Sequence, residues 1–276
     1  MLNKIIFLLS FSSYLLFSQS KFFIQPSFYF TYGDYSTHSK SNQYSFYSTF
    51  SWNSYDYLVF GFDKIAISSN SQSLNWNFEQ NNFSGGFHYW INDLTMKCKL
   101  DFIKIDGNYS DNFIPQQLID NGYLISPEIL MGIYPFYYGV GYSLFQQSGN
   151  NKIEAHQIYA RADYYPDYKL LLDAIFSSHL ISDGRKQASL QLSIYYFPIY
   201  EISIKGSFTA GARSIFYNPD LMVLYNQLET QTSNYSVQVN YNFYKNFVAV
   251  IQYQRANFSS YQINYFVFGI KSTLYF

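Results

Sequence analysis

A length of 276 residues suits one large β domain or two small ones. Charged residues make up only 13%, about half the share of an ordinary soluble domain, while aromatics reach 22%, with 31 Tyr and 28 Phe. The net charge of -1 leaves no basic stripe for nucleic acid, and the lone cysteine, Cys98, excludes an internal disulfide and a cysteine-rich metal site.

The first 20 residues stand apart. Lys4 gives a short basic start, and residues 5–16 are mostly apolar with small Ser interruptions. Small residues around Ser18 and Ser20 offer a cleavage point, so residues 1–20 read as a secretory signal peptide. The apolar run is short of the roughly 20 residues that a spanning helix needs. Residues 21–276 then form the mature domain, and no later segment reaches the 18 consecutive apolar residues of a membrane helix.

From there on the apolar residues recur with period two. Tyr235, Val237, Val239, Tyr241 and Phe243 share one face, and Ser236, Gln238, Asn240 and Asn242 the other. Ala188, Leu190, Leu192, Ile194 and Tyr196 repeat the pattern, as do Ile202, Ile204 and Phe208. Successive side chains on a strand point to opposite faces, so each segment predicts a strand with one apolar and one polar face.

Two kinds of connection alternate along the chain. Tight turns flanked by aromatics fall at Trp52–Tyr57, Tyr89–Asp93, Tyr134–Tyr137, Tyr164–Tyr168, Tyr195–Tyr200 and Phe243–Phe247. Pro, Asn and Asp suit such turns, and Tyr and Trp suit a lipid headgroup zone. Longer polar stretches cover residues 34–42, 68–73, 107–124, 148–151, 182–186 and 213–232, with one short connection near Ser259 and Ser260. Six tight turns and seven connections at the other end predict an antiparallel transmembrane β-barrel of about 14 strands, with about 12 as the alternative. Tight turns would be periplasmic and the long loops extracellular. The apolar phase shifts between Phe78 and Phe83, which predicts a bulge.

The last strand ends on an aromatic, with Phe266, Phe268, Ile270, Leu274 and Phe276 on one face. This resembles the C-terminal signature of bacterial outer-membrane barrels, departing from it at Ser272. The resemblance covers the whole mature chain. It implies an outer-membrane location, lipid around the barrel, and recognition of Phe268, Ile270, Leu274 and Phe276 by the barrel-insertion machinery. The repeated Tyr-Pro turns are similar to YaiO-like barrels, and no motif fixes a particular family.

If apolar faces meet lipid, the charges on the polar faces line the lumen. The candidates are Lys97, Lys99, Asp101, Arg161, Asp163, Lys169, Asp173, Glu201 and Lys205. Around the Pro166–Asp167 turn, Asp163 should oppose Lys169 and Arg161 should oppose Asp173, directly or diagonally, while His88 should face Lys97. Such charges could filter solutes or simply neutralise one another, and the balance of signs favours pairing. Ser177 precedes His179 by two, the reverse of the outer-membrane phospholipase order, so no catalytic pair is assigned. The sequence points to no cofactor, no metal site and no nucleic acid. Its leading expectation is a passive or weakly selective pore for small solutes, whose lumen side chains or a folded loop could close. The alternatives are a closed barrel that binds partners through residues 107–124 and 213–232, and a barrel enzyme acting on lipid or peptide.

Overall fold

The period-two segments pair edge to edge, and the resulting sheet closes on itself. A computed structural model describes residues 22–53, 55–70, 75–91, 94–111, 118–149 and 152–276, so the expected signal peptide (1–20) lies outside the described residues. The strands are β1 (Phe23–Tyr35), β2 (Lys40–Ser51), β3 (Tyr57–Asn70), β4 (Asn75–Ile91), β5 (Met96–Asp111), β6 (Leu118–Ile133) and β7 (Phe136–Gly149). They continue as β8 (Ile153–Asp167), β9 (Leu170–Ile181), β10 (Lys186–Ile199), β11 (Ile202–Asn218), β12 (Val223–Tyr244), β13 (Phe247–Phe258) and β14 (Gln262–Ser272). A two-residue β15 (Leu274–Tyr275) continues β14 after Thr273 and pairs with the start of β1. From β1 to β14 every strand pairs antiparallel with its sequence neighbour, and β1 pairs with β14 from Ser27–Lys271 to Tyr35–Ile263. The result is an all-β, closed, 14-stranded barrel.

Alternation fixes which side chains face out. On β10, Leu190, Leu192, Ile194 and Tyr196 are exposed on the outer surface, while Gln187, Ser189, Gln191 and Ser193 are buried inside. The outer face of β5 carries Leu100 and Phe102, and its inner face Lys99, Asp101, Ile103 and Ile105. Apolar surface outside and polar surface inside is the arrangement of a barrel whose surroundings are apolar.

Two expectations about the chain's path are overturned. Phe78 and Phe83 do not flank a bulge, because β4 pairs with β3 and with β5 in unbroken register. Phe78 instead faces the lumen, where it lines a cavity, while Phe83 faces out. Two of the stretches read as long loops, 107–124 and 213–232, are largely strand. β5 continues to Asp111 and β6 starts at Leu118, with 112–117 outside the described residues. β11 continues to Asn218, and β12 spans 22 residues from Val223.

The last of these extensions decides the interior. β11 pairs with β10 only as far as Gly211, and β12 pairs with β13 only as far as Gln231. Beyond those points the two strands pair only with each other, through Ile215–Asn226, Phe216–Tyr225, Tyr217–Leu224 and Asn218–Val223. Gly211 sits at the departure with φ of +111°, and the β11–β12 register shifts just beyond it. A residue bearing a Cβ rarely adopts that angle, so glycine permits the bend there. The freed ribbon turns into the barrel instead of standing out in solvent: residues 213–217 are all buried.

Candidate functional site

The ribbon is held along its length. Ile215, Tyr217 and Leu224 pack into a buried cluster with Ile103 and Ile105 of β5, Leu124 of β6, Phe145 of β7, Ala155 of β8 and Ile181 of β9. Gln157 clamps its backbone, donating to Tyr217 O at 3.0 Å and accepting from Tyr217 N at 2.8 Å. Arg185 donates to Ser214 Oγ and to Leu228 O, and Gln187 donates to Ser214 Oγ and Thr230 Oγ1. At the bend, Arg213 donates to Gln231 Oε1 at 2.6 Å and stacks on Phe216 at 3.7 Å.

The tip, Pro219 to Met222, rests on a belt of charges in the half of the lumen nearer the tight turns. Lys99 Nζ donates to Pro219 O and pairs with Asp101 at 3.0 Å. Tyr217 OH donates to Asp101 Oδ2 at 2.5 Å, and His88 Nε2 reaches Asp101 Oδ1 at 3.1 Å. Arg161 lies among four carboxylates: Asp220 at 2.9 Å, Asp163 at 3.0 Å, Asp173 at 3.3 Å and Glu128 at 3.6 Å. Lys205 completes the belt at 4.0 Å from Asp220, over the ring of Tyr195. Tyr159 OH donates to Glu128 at 2.9 Å. Cations and carboxylates are thus interleaved, and most of the charge is spent within the belt and on the ribbon tip.

The structure gathers Lys99, Asp101, Arg161, Asp163, Asp173 and Lys205 into this belt, with Lys97 one step nearer the tight turns. Lys97 Nζ donates to Tyr57 OH at 3.4 Å and lies over the Tyr57 and Trp90 rings. Arg161 and Asp173 meet diagonally, since Arg161 registers with Ile175. Lys169 and Glu201 fall elsewhere. Both sit in turns, where the strand alternation that would aim them inward has ended. Asp163 consequently faces Asp173 rather than Lys169, and the direct partner of His88 is Lys99 rather than Lys97.

Sequence reasoning missed Glu128, Tyr159, Tyr217 and Asp220. Glu128 could have been found, for strand phase puts it on the inner face with Ser126 and Leu130, opposite the outward-facing Ile125 and Ile129. Asp220 could not be found by strand phase, because it belongs to the ribbon's turn. Ser177 and His179 both face the lumen, yet His179 Nε2 lies 3.5 Å from Ser189 Oγ, and Ser177 Oγ accepts from Gln157 at 3.5 Å. No group of His, Cys, Asp and Glu suited to a metal ion occurs among the described residues.

The ribbon fills the β5–β11 side of the lumen and leaves the other wall free. A cavity of about 440 Å³ follows that wall. Its lining runs from Gln25, Thr49 and Lys271 near the tight turns to Tyr35, Ile67 and Gln227 at the opposite end. A second cavity of about 440 Å³ lies beneath the tip, lined by Lys97, Trp90, Tyr134, Tyr137 and Tyr165 among others. Tyr57, His88, Pro219 and Asp220 line both, so the two adjoin at the belt.

The barrel has the fold of known channels. A mutant of TodX described as a monoaromatic hydrocarbon channel is similar over 94% of this chain and 91% of its own, with TM-score 0.60 and 8% identity. The CymD monoaromatic hydrocarbon channel is similar over 95% and 90%, with TM-score 0.58 and 9% identity. The Pseudomonas putida toluene transporter TodX is similar over 94% and 90%, with TM-score 0.51 and 8% identity. No family model and no curated protein matches the chain. At these identities the likeness is one of fold.

Proposed function

We propose that this protein is an outer-membrane channel for small solutes, in which a solute passes along the wall formed by β12–β14 and β1–β4, beside the infolded ribbon. The observation that carries the reading is the cavity lined from one end of the barrel to the other, bounded on its open side by the ribbon. An apolar outer surface around a polar interior supports placement in a bilayer. The shared fold with channel proteins supports transport over a purely structural role. Residues 213–232 would not serve as an external recognition loop, since their first half is packed inside the lumen. In this reading the tight turns are periplasmic and the ribbon descends from the extracellular end. Barrel lipid and the insertion machinery would be its other partners.

The ribbon sets the size of the passage. Replacing residues 212–230 with a two-residue turn should raise single-channel conductance in a planar bilayer several-fold, with the barrel still resisting unfolding in cold detergent. The intact protein should show small, steady ohmic steps. A folded, membrane-inserted protein that conducts neither with the ribbon nor without it would remove the channel reading.

A further inference from the structure

The wall that the ribbon leaves free has a chemistry of its own. Tyr29 and Tyr47 stand directly opposite Gly269 and Gly61 in the β1–β14 and β2–β3 ladders. A Cβ on Gly269 would lie 2.6 Å from Tyr29 Cε1, and one on Gly61 would lie 2.5 Å from Tyr47 Cδ1. Each ring therefore fills the place of the partner strand's missing side chain, and the Tyr29 and Tyr47 rings meet edge to face, with centroids 6.3 Å apart and 71° between their planes. Tyr265 covers Gly33 in the same manner nearer the far end. Tyr47 is fixed further, because its hydroxyl donates to both oxygens of Asp63 at 3.0 Å. All three rings line the long cavity.

Amides surround them. Gln238 and Gln252 are cross-strand neighbours, and Gln252 donates to Gln254 Oε1 at 3.2 Å. Nine of the 33 lining residues are Asn or Gln and six are Tyr, against two with a formal charge, Asp220 and Lys271. Asp220 is already paired with Arg161. At the far end, Gln227 Oε1 is buried with no protein hydrogen-bond partner. This lining discriminates by chemistry. An ion finds little uncompensated charge along it. Eleven lining residues are apolar and six of the amides already donate to protein groups, but a hydrocarbon would take water from Gln227 Oε1 and from the amides' remaining hydrogen-bonding groups and give them nothing in return. A solute with C–H groups on one face and hydroxyls around its edge answers both features, since the rings accept the apolar face and each amide can donate and accept.

We infer that the long cavity is a binding track for neutral saccharides, whose sugar rings lie on Tyr29, Tyr47 and Tyr265 and whose hydroxyls bond to the flanking amides. The inference rests on the channel reading for its route but not for its site, and the two can fail separately. Maltotriose serves as the probe and toluene as its counterpart. Maltotriose at millimolar concentration should interrupt the ion current of the intact protein reversibly. Titration calorimetry of the detergent-folded protein should give a matching affinity. Gln252→Ala, and separately Tyr29→Ala with Tyr47→Ala, should raise the half-blocking concentration by about fivefold or more, a loss within reach of one aromatic or amide contact. Heat-modifiable gel mobility shows that each variant is folded, and Gln252→Ala removes no packing ring should the tyrosine pair fail. Conductance without maltotriose block or binding would overturn the saccharide track and leave the channel. Block by toluene alone would overturn it as well. Maltotriose binding to a protein that never conducts would keep the site and overturn the channel.

Discussion

Arg161 carries the most crowded set of contacts among the lumen side chains, and its neighbours are not equivalent. Asp163 and Asp173 oppose each other directly across β8 and β9, a placement that repels unless a cation bridges it. Arg161 is that cation, reaching Asp163 through Nε and Asp173 through Nη2. Asp173 is held by charge alone: neither of its oxygens makes a hydrogen bond of proper geometry. Removing Arg161 leaves four carboxylates facing one another, and breaking a buried pair in this way costs about 3–5 kcal/mol. Arg161→Met should therefore lower stability to urea by that amount. Asp173→Asn, which relieves the repulsion from Asp163 and leaves Arg161 three other carboxylates, should cost less than Arg161→Met. Equilibrium unfolding in detergent micelles reads both, and a larger loss for Asp173→Asn than for Arg161→Met would show the belt is not organised around the arginine. The belt's membership was largely legible in the sequence, since strand phase alone aims Lys97, Lys99, Asp101, Arg161, Asp163, Asp173 and Lys205 inward. Phase fails where strands end, which is why Lys169 and Glu201 are not in the belt.

For the β11–β12 ribbon, direction matters more than composition. Residues 213–232 read as an external loop because they contain Ser, Asn, Asp, Thr and Pro. Their apolar content argues otherwise: Ile215, Phe216 and Tyr217, then Leu221, Met222, Val223 and Leu224, are more than a solvated loop carries. That signal marks a segment needing cover. It does not say what covers it, because the partners lie far away in sequence, Asp101 being 116 residues from Tyr217 and Arg161 59 residues from Asp220. The strands and their number were readable from local alternation, whereas the infold is a long-range event. Its pivot is Gly211. Any L side chain there is strained at φ of +111° by about 1–3 kcal/mol, and its Cβ would meet Ala188 O on β10. Gly211→Val should displace the ribbon, and trypsin should then cut after Arg213, which is buried in the parent protein. Ala210→Val, one residue earlier and outward-facing, adds similar bulk and should leave Arg213 protected. Equal protection in both variants would mean that the ribbon's inner contacts, and not the bend, hold it in place.

At the scale of the whole molecule, the proposed membrane is the one partner that every strand would meet. The seam between β1 and β14 closes the sheet, and β15 extends it by pairing Phe23 with Tyr275 and Ile24 with Leu274. Phe268, Ile270, Leu274 and Phe276 all project from the outer surface near this seam, so the expected insertion signal is presented outward. Phe276 N donates to Phe22 O, which ties the residue after β15 to the residue before β1. If the outer surface faces lipid, the cost of a charge on it must depend on depth. A bilayer centre penalises Arg by about 2–4 kcal/mol and its edge by about 0–1 kcal/mol, whereas water around a soluble barrel penalises neither depth. Leu192 and Ile199 test this on a single strand. Both are exposed on β10, 48% and 54%, but Leu192 lies midway along it while Ile199 is its last residue, beside a tight turn. In phospholipid vesicles, Leu192→Arg should destabilise the barrel by about 2–4 kcal/mol and Ile199→Arg by at most about 1 kcal/mol. Similar small effects at both depths would take the barrel out of the bilayer, because Leu192, paired with Phe208 and Ala174 in mid-strand, is where lipid would penalise the charge, whereas Ile199 pairs only with Ile202 beyond a register shift.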